Sequence, residues 1–240
     1  MAPAIGRYEY GGGICQVSTT LYNAVLRAEL NVTERSPHSM TVHYVDLSED
    51  AAIAGTYKDF KFVNSTEYPI YIEGYTTSDK KITFNIYGKE TRDKNRTISF
   101  ESQMVSETPA TTILQEDAGQ GIGYKAVSSK GSSGYVAELY KIVKVNGVET
   151  DRIKVNKSTY KASPKIVNVG TASEDPNASA TIGAALATGD EGTIYAAVAQ
   201  FTAAAAATPE QPAENQSAEE QAIVGDGQVD VSGDNGGNGQ

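Results

Sequence analysis

The stretch Gly11-Gly12-Gly13-Ile14-Cys15-Gln16-Val17-Ser18-Thr19-Thr20 feeds a glycine triplet directly into a helical pattern. From about Ser18 to Ala28 the apolar residues recur at helical spacing. Val17, Leu21 and Val25 form one stripe, with Tyr22 and Leu26 beside it. Cys15 is the single cysteine of the chain. It stands at the positive end of the expected helix dipole, where unpaired amides favour a thiolate over a thiol. The glycines let backbone approach a ligand closely. Such an arrangement suits a nucleophile whose attack creates an oxyanion, and the amides from Gly13 through Ile14 to Gln16 are the donors best placed to receive it. The plain alternative is a small buried hydrophobe without chemistry.

A thiol working near neutral pH needs a base, and the chain holds two histidines, His38 and His43. Thr41-Val42-His43-Tyr44-Val45 alternates as a strand would, and Pro37 sets the backbone just before it. A strand reaching back to His38 would point the two imidazoles to opposite faces, so at most one could meet Cys15. Each could instead be a surface or hydrogen-bonded structural residue. Asp50 and Asp59 are candidates for orienting an imidazole or binding a substrate ammonium, against simple solvation. Gln16, Ser18 and Thr19 offer polar contacts to a substrate, although Ser18 and Thr19 equally suit helix capping. Arg35 could receive a substrate carboxylate or stand exposed. One cysteine and two histidines without paired ligand spacing argue against a zinc site, and no metal or other cofactor is expected.

These residues resemble a known family. Gly-Gly-Gly-Ile-Cys-Gln-Val-Ser-Thr-Thr-Leu-Tyr-Asn-Ala (11–24) followed by Glu-Arg-Ser-Pro-His-Ser-Met (34–40) is similar to the core signature of the VanW family. The resemblance continues through Tyr44-Val45, Asp50-Ala51, Tyr57 to Asn64 and Tyr68-Pro69-Ile70-Tyr71-Ile72. It implies a bacterial envelope protein, of a family found in part in glycopeptide-resistance clusters, with cysteine-dependent L,D-transpeptidase activity on peptidoglycan stem peptides. Cys15 would be the nucleophile and His38 its partner; Gly13, Ile14, Gln16, Ser18 and Asp59 stand beside them as the candidates, read from the residues themselves, for the oxyanion or the substrate. His43 falls where the family often has a small polar residue. A complete domain of this kind carries further sequence ahead of the cysteine motif. The chain therefore reads as its carboxy-terminal part, with any signal or membrane anchor expected upstream.

After the histidines the pattern turns to strands over Tyr57 to Val63, Tyr68 to Tyr75 and Lys81 to Tyr87, with Asp79-Lys80 linking the last two. One helix ahead of such a meander predicts an α+β fold, the helix packed on a β-meander, for residues 1–92. A second unit, 93–171, reads as a small extended all-β module. Thr97 to Met104 and Tyr135 to Val145 are strand-like, and Asn146-Gly147 marks a hairpin leading into Arg152-Ile153-Lys154-Val155. Gly131, Gly134, Val145-Asn146-Gly147 and Val167-Asn168-Val169-Gly170-Thr171 resemble the G-five domain. That likeness implies wall, glycan or zinc-dependent surface adhesion, or a rigid spacer.

From Ala172 the composition shifts to Ala, Gly, Glu, Gln and Asn, and a low-complexity, disordered acidic tail is expected over 172–240, with at most a transient helix between Ile182 and Phe201. Of the 30 acidic residues, 11 follow Gly170, where no lysine or arginine occurs. The body is thus near neutral and carries no basic stripe, which argues against nucleic acid as a partner. The 240 residues, 39% hydrophobic, can bury a core, though unevenly along the chain. Two functions follow: a thiol acyltransferase on stem peptides at the outer face of the cell envelope, or a non-catalytic protein binding peptidoglycan or other wall glycans. Thiol accessibility separates them.

Overall fold

The computed structural model describes residues 2–4, 7–9 and 12–202. They form two compact units, one containing residues up to Ser106 together with Tyr135–Tyr160, the other Glu107–Gly134 and residues 161–202.

In the first unit, the short strands β1 (Ala2–Ala4) and β2 (Arg7–Glu9) pair antiparallel ahead of helix α1 (Ile14–Arg27). The helix starts four residues earlier than its apolar stripe suggests. Gly13, at φ 93°, takes the left-handed N-cap position that only glycine occupies without strain. Cys15 therefore lies within the first turn. The buried face is also rotated from the expected stripe: Val17 is exposed, whereas Ser18, Thr19, Tyr22, Val25 and Leu26 are buried. The two hydroxyls can be buried because both reach the Ala51 carbonyl, Ser18 Oγ at 2.5 Å and Thr19 Oγ1 at 3.3 Å.

Helix α1 closes with a Schellman motif. Leu30 N–H donates to Val25 O and Glu29 N–H to Leu26 O, with Glu29 at φ 56° in the place usually given to glycine. Strand β3 (Asn31–Glu34) pairs with β4 (Lys61–Val63), and β5 (Tyr71–Thr76) with β6 (Ile82–Tyr87), both antiparallel. Residues 41–45, expected as a strand, form bends instead.

The same unit contains a three-stranded sheet in the order β11-β10-β7, built from β7 (Arg96–Thr108), β10 (Gly134–Val145) and β11 (Val148–Tyr160). Asn146 and Gly147, at φ 53° and 81°, make the expected two-residue hairpin between β10 and β11. The core joins helix to sheet. Tyr22, Leu26, Ala51 and Leu139 are buried together, with Val32, Phe60, Phe100 and Val155 packed around them. One helix followed by strands gives the α+β architecture expected from the sequence.

In the second unit, β8 (Thr112–Gly121), β9 (Lys125–Ser129) and β12 (Lys165–Ala172) form a sheet in the order β8-β12-β9, with β12 parallel to β8 and antiparallel to β9. The expected tail begins later than Ala172. Helices α2 (Pro176–Thr188) and α3 (Glu191–Phe201) start at the aspartate N-caps Asp175 and Asp190, and Gly189 ends α2 in the left-handed conformation. Ile182, Ala185, Ile194, Ala197 and Val198 are buried with Val169 of β12. Alanine hid this face from periodicity, because small apolar residues on several sides of a helix give little contrast. The remainder of the expected disordered tail lies outside the described residues.

Candidate active site

Asp50 is the centre of the site. It is fully buried, and four donors converge on its carboxylate. His38 donates its backbone N–H to Oδ2 at 2.6 Å, and its ring Nδ1 lies 2.7 Å from the same oxygen. Arg35 Nη2 (2.7 Å) and the Tyr160 hydroxyl (2.6 Å) donate to Oδ1. Burial alone pushes this carboxyl up. The His38 ring and backbone hydrogen bonds, then Tyr160 and the Arg35 charge, outweigh it and hold Asp50 below its ordinary value. An ionised carboxylate only accepts, so the Nδ1 of His38 carries a proton, and in the neutral ring it is Nε2 that holds the free lone pair. The Tyr44 hydroxyl lies 3.4 Å from that Nε2. Burial first of all pushes Tyr44 up to about 12, so it remains a neutral phenol able to donate.

Cys15 is half-buried, and its Sγ donates to the Ile53 carbonyl at 3.5 Å. One turn later Ser18 and Thr19 hold Ala51. The segment 50–53 therefore runs along the first turns of α1, carrying the carboxylate that orients His38 at one end and touching the thiol at the other. Tyr44 belongs to the same neighbourhood, its ring edge-on to that of His38 at 6.2 Å between centroids.

The other sequence candidates are distributed as follows. Gly13 and Ile14 open the helix, and the amides of Ile14 and Cys15 belong to a first turn that has no intrahelical carbonyl to bond. The Gln16 amide is already given to Gly13 O at 3.0 Å. Ser18 is buried and committed to Ala51 O and Cys15 O. Asp59 is drawn elsewhere, with Oδ1 accepting from Phe60 N–H and Oδ2 facing Lys61. His43 is exposed.

Arg35 is neither exposed nor free for a substrate. It binds Asp50 twice, through its carbonyl and Oδ1, and also Ser48 O and Ser158 Oγ, while its guanidinium lies over the Tyr22 ring. Sequence reading missed Tyr160 and Ser158 altogether, since both come from β11, more than a hundred residues from Asp50. No group of three or more potential metal ligands occurs among the described residues, and none of their helices is long and apolar enough to cross a membrane.

Residues 5–87 match the family model described as VanW like protein, and residues 100–172 match that of the G5 domain. Over 62 residues the chain is 48% identical to the protein YoaR of Bacillus subtilis (strain 168), a match covering 26% of this chain and 20% of that relative. The chain thus spans about a fifth of that relative's length. Among solved structures, the IgA1 protease G5 domain is 26% identical, covering 35% of this chain and all of that one, with a TM-score of 0.24. The HP0197 G5 structure is 17% identical, covering 31% of this chain and 97% of that one, with a TM-score of 0.20. The chain therefore carries a region similar to VanW like proteins, followed by a region that matches the G5 domain.

Proposed function

We infer that the VanW-like region is a thiol acyltransferase acting on peptidoglycan stem peptides at the outer face of the cell envelope. The observation that carries this reading is the His38–Asp50 pair. A buried carboxylate fixes the imidazole through Nδ1 and leaves Nε2 as a base, on the same segment that touches Cys15. In the first half-reaction the Cys15 thiol gives its proton to His38, and sulfur attacks the carbonyl of the stem-peptide bond. The tetrahedral oxyanion meets the first-turn amides of α1. Collapse breaks the C–N bond, His38 returns its proton to the departing D-amino acid, and a thioester remains. In the second half an acceptor amine attacks the thioester, loses its proton to His38 and expels the thiolate. Neither half requires a cofactor.

The experiment is alkylation of Cys15 at neutral pH alongside turnover of muropeptides. Wild-type protein should react readily at this one thiol and form a thioester with stem peptide, and His38→Ala should slow both about a hundredfold, within the range ascribed to general base catalysis. A thiol indifferent to His38 would sink the acyltransferase reading.

A second reading, binding of wall glycans without catalysis, has its own support in the β5–β6 hairpin. Tyr71 and Tyr87 are paired across the strands, stacked at 6.0 Å between centroids, and 65% and 52% exposed. Such a face suits a sugar ring. The G5 domain fits either reading.

A further inference from the structure

The loop that carries Asp50 is built on the three-stranded sheet. Leu47 O accepts from Ser102 Oγ of β7 at 2.6 Å. Ser48, fully buried and at φ 69°, donates its Oγ to Ala137 O of β10 at 2.9 Å. Its carbonyl accepts from Asn156 Nδ2 of β11 at 3.0 Å, and its N–H donates to the Tyr160 hydroxyl of β11 at 2.7 Å. That hydroxyl in turn donates to Asp50 Oδ1, while Ser158 Oγ receives Arg35 Nη1 at 2.8 Å. A serine in the left-handed region is strained, and it persists only where its surroundings over-determine it. Here β10 and β11 hold it directly, and β7 holds Leu47 beside it.

We propose that Tyr160 is a positioning residue for His38. Its phenol, accepting from Ser48 and donating to Asp50, holds the carboxylate in the one orientation that keeps the imidazole in its Nδ1–H form. Tyr160 lies within residues 100–172, so the G5 domain completes the VanW-like site and is not merely attached to it. The geometry favours this over simple packing. A phenol packed for its ring alone would have no reason to spend its hydroxyl on both a strained backbone amide and a carboxylate that already has three other donors. The catalytic consequence rests on the acyltransferase reading; the positioning itself does not.

Nitrogen NMR of the histidine rings in the full chain reads the tautomer directly, with exposed His43 as an internal reference. Wild-type His38 should be Nδ1–H. Tyr160→Phe, which removes only the hydroxyl, should shift His38 towards a mixture with the Nε2–H form and slow Cys15 alkylation at neutral pH about tenfold. Should that variant fail to fold, Ser158→Ala loosens Arg35 on Asp50 more gently and should move the same resonances in the same direction. A wild-type His38 spectrum in whichever variant folds overturns the proposal. A shifted tautomer with unchanged alkylation supports the positioning and instead counts against the thiol–imidazole chemistry, so the two failures are told apart.

Discussion

A single oxygen, Asp50 Oδ2, receives His38 twice, from its backbone amide and from its ring Nδ1. The carboxylate therefore sets both where the residue sits and which way its ring turns. Its other oxygen is occupied by Arg35 and Tyr160, so the carboxylate cannot rotate without losing donors at both ends.

Replacing this carboxylate should cost both stability and reactivity. Asp50→Asn leaves Arg35 buried opposite a neutral group, and breaking one partner of a buried pair costs about 3–5 kcal/mol. The pH dependence follows from the same contacts. The folded-state value of Asp50 is depressed, so its contribution is present above the ordinary carboxyl value of about 3.9 and is lost as pH falls through the lower folded value. Urea unfolding at neutral pH and in acid measures both effects. Equal midpoints for variant and wild type at neutral pH would contradict the buried pair.

Glu29 presents the opposite balance of backbone and side chain. It takes a left-handed position that glycine would fill without strain, yet its carboxylate accepts from Arg96 at 2.5 and 2.7 Å and from Lys141 at 3.0 Å. The Arg96 hydrogen bonds, against the cost of burial and with help from Lys141, bring Glu29 down to about 2. Its stabilisation is therefore present above the ordinary glutamate value of about 4.3 and disappears between there and about 2. Glu29→Ala should lose the ion pairs and keep the strain, at about 2–3 kcal/mol. Glu29→Gly should lose the same pairs but recover roughly 1 kcal/mol from the relaxed backbone. Thermal unfolding of the two variants gives the order, and a less stable glycine variant would contradict this account.

The parts of the structure legible in the sequence are those decided by neighbours in the chain. Asn146-Gly147 specifies its turn by itself, and the glycine run before Cys15 announces a helix start. Asp50 and Asp59 look alike in sequence. What separates them is burial against Tyr160, which no local pattern encodes. The rotated face of α1 was hidden for a related reason, since Ser18 and Thr19 read as polar until Ala51 supplies their acceptor. The alternation of residues 41–45 looks like a strand, but there His38 and Tyr44 are engaged in a loop around the carboxylate and its imidazole.

Two glycines of the second unit should respond oppositely to alanine. A Cβ at Gly170 would stand 2.1 Å from the Gly121 carbonyl oxygen and 2.8 Å from that of Gln120, where β12 passes β8 at a register shift. Backbone cannot swing aside as a side chain can, so Gly170→Ala should destabilise by about 3 kcal/mol, the upper end for overpacking. A Cβ at Gly183, inside α2, meets nothing within 4 Å, and Gly183→Ala should stabilise by about 0.5–1 kcal/mol through helix propensity. Calorimetry on the pair reads both signs. A neutral Gly170→Ala would mean that β8 and β12 do not approach so closely.

Helices α2 and α3 make the boundary of the folded chain testable. Were residues 176–201 part of a solvated tail, truncating their apolar side chains would change nothing. Ile182 and Ile194 are instead fully buried with Val169, which is itself a fully buried residue of β12. Ile182→Ala and Ile194→Ala should each cost about 2–5 kcal/mol, the range for removing a large aliphatic side chain from a core. Asp190→Ala should cost only about 1 kcal/mol, because it removes an N-cap that accepts from Thr193 N–H at 2.7 Å and leaves the packing in place. The ranking matters more than any single value. Propensity-driven helices would suffer most from losing the cap, whereas packed helices suffer most from losing the isoleucines. Urea unfolding followed by tyrosine fluorescence decides between them, the chain having no tryptophan. Isoleucine variants within about 0.5 kcal/mol of wild type would return these residues to the tail.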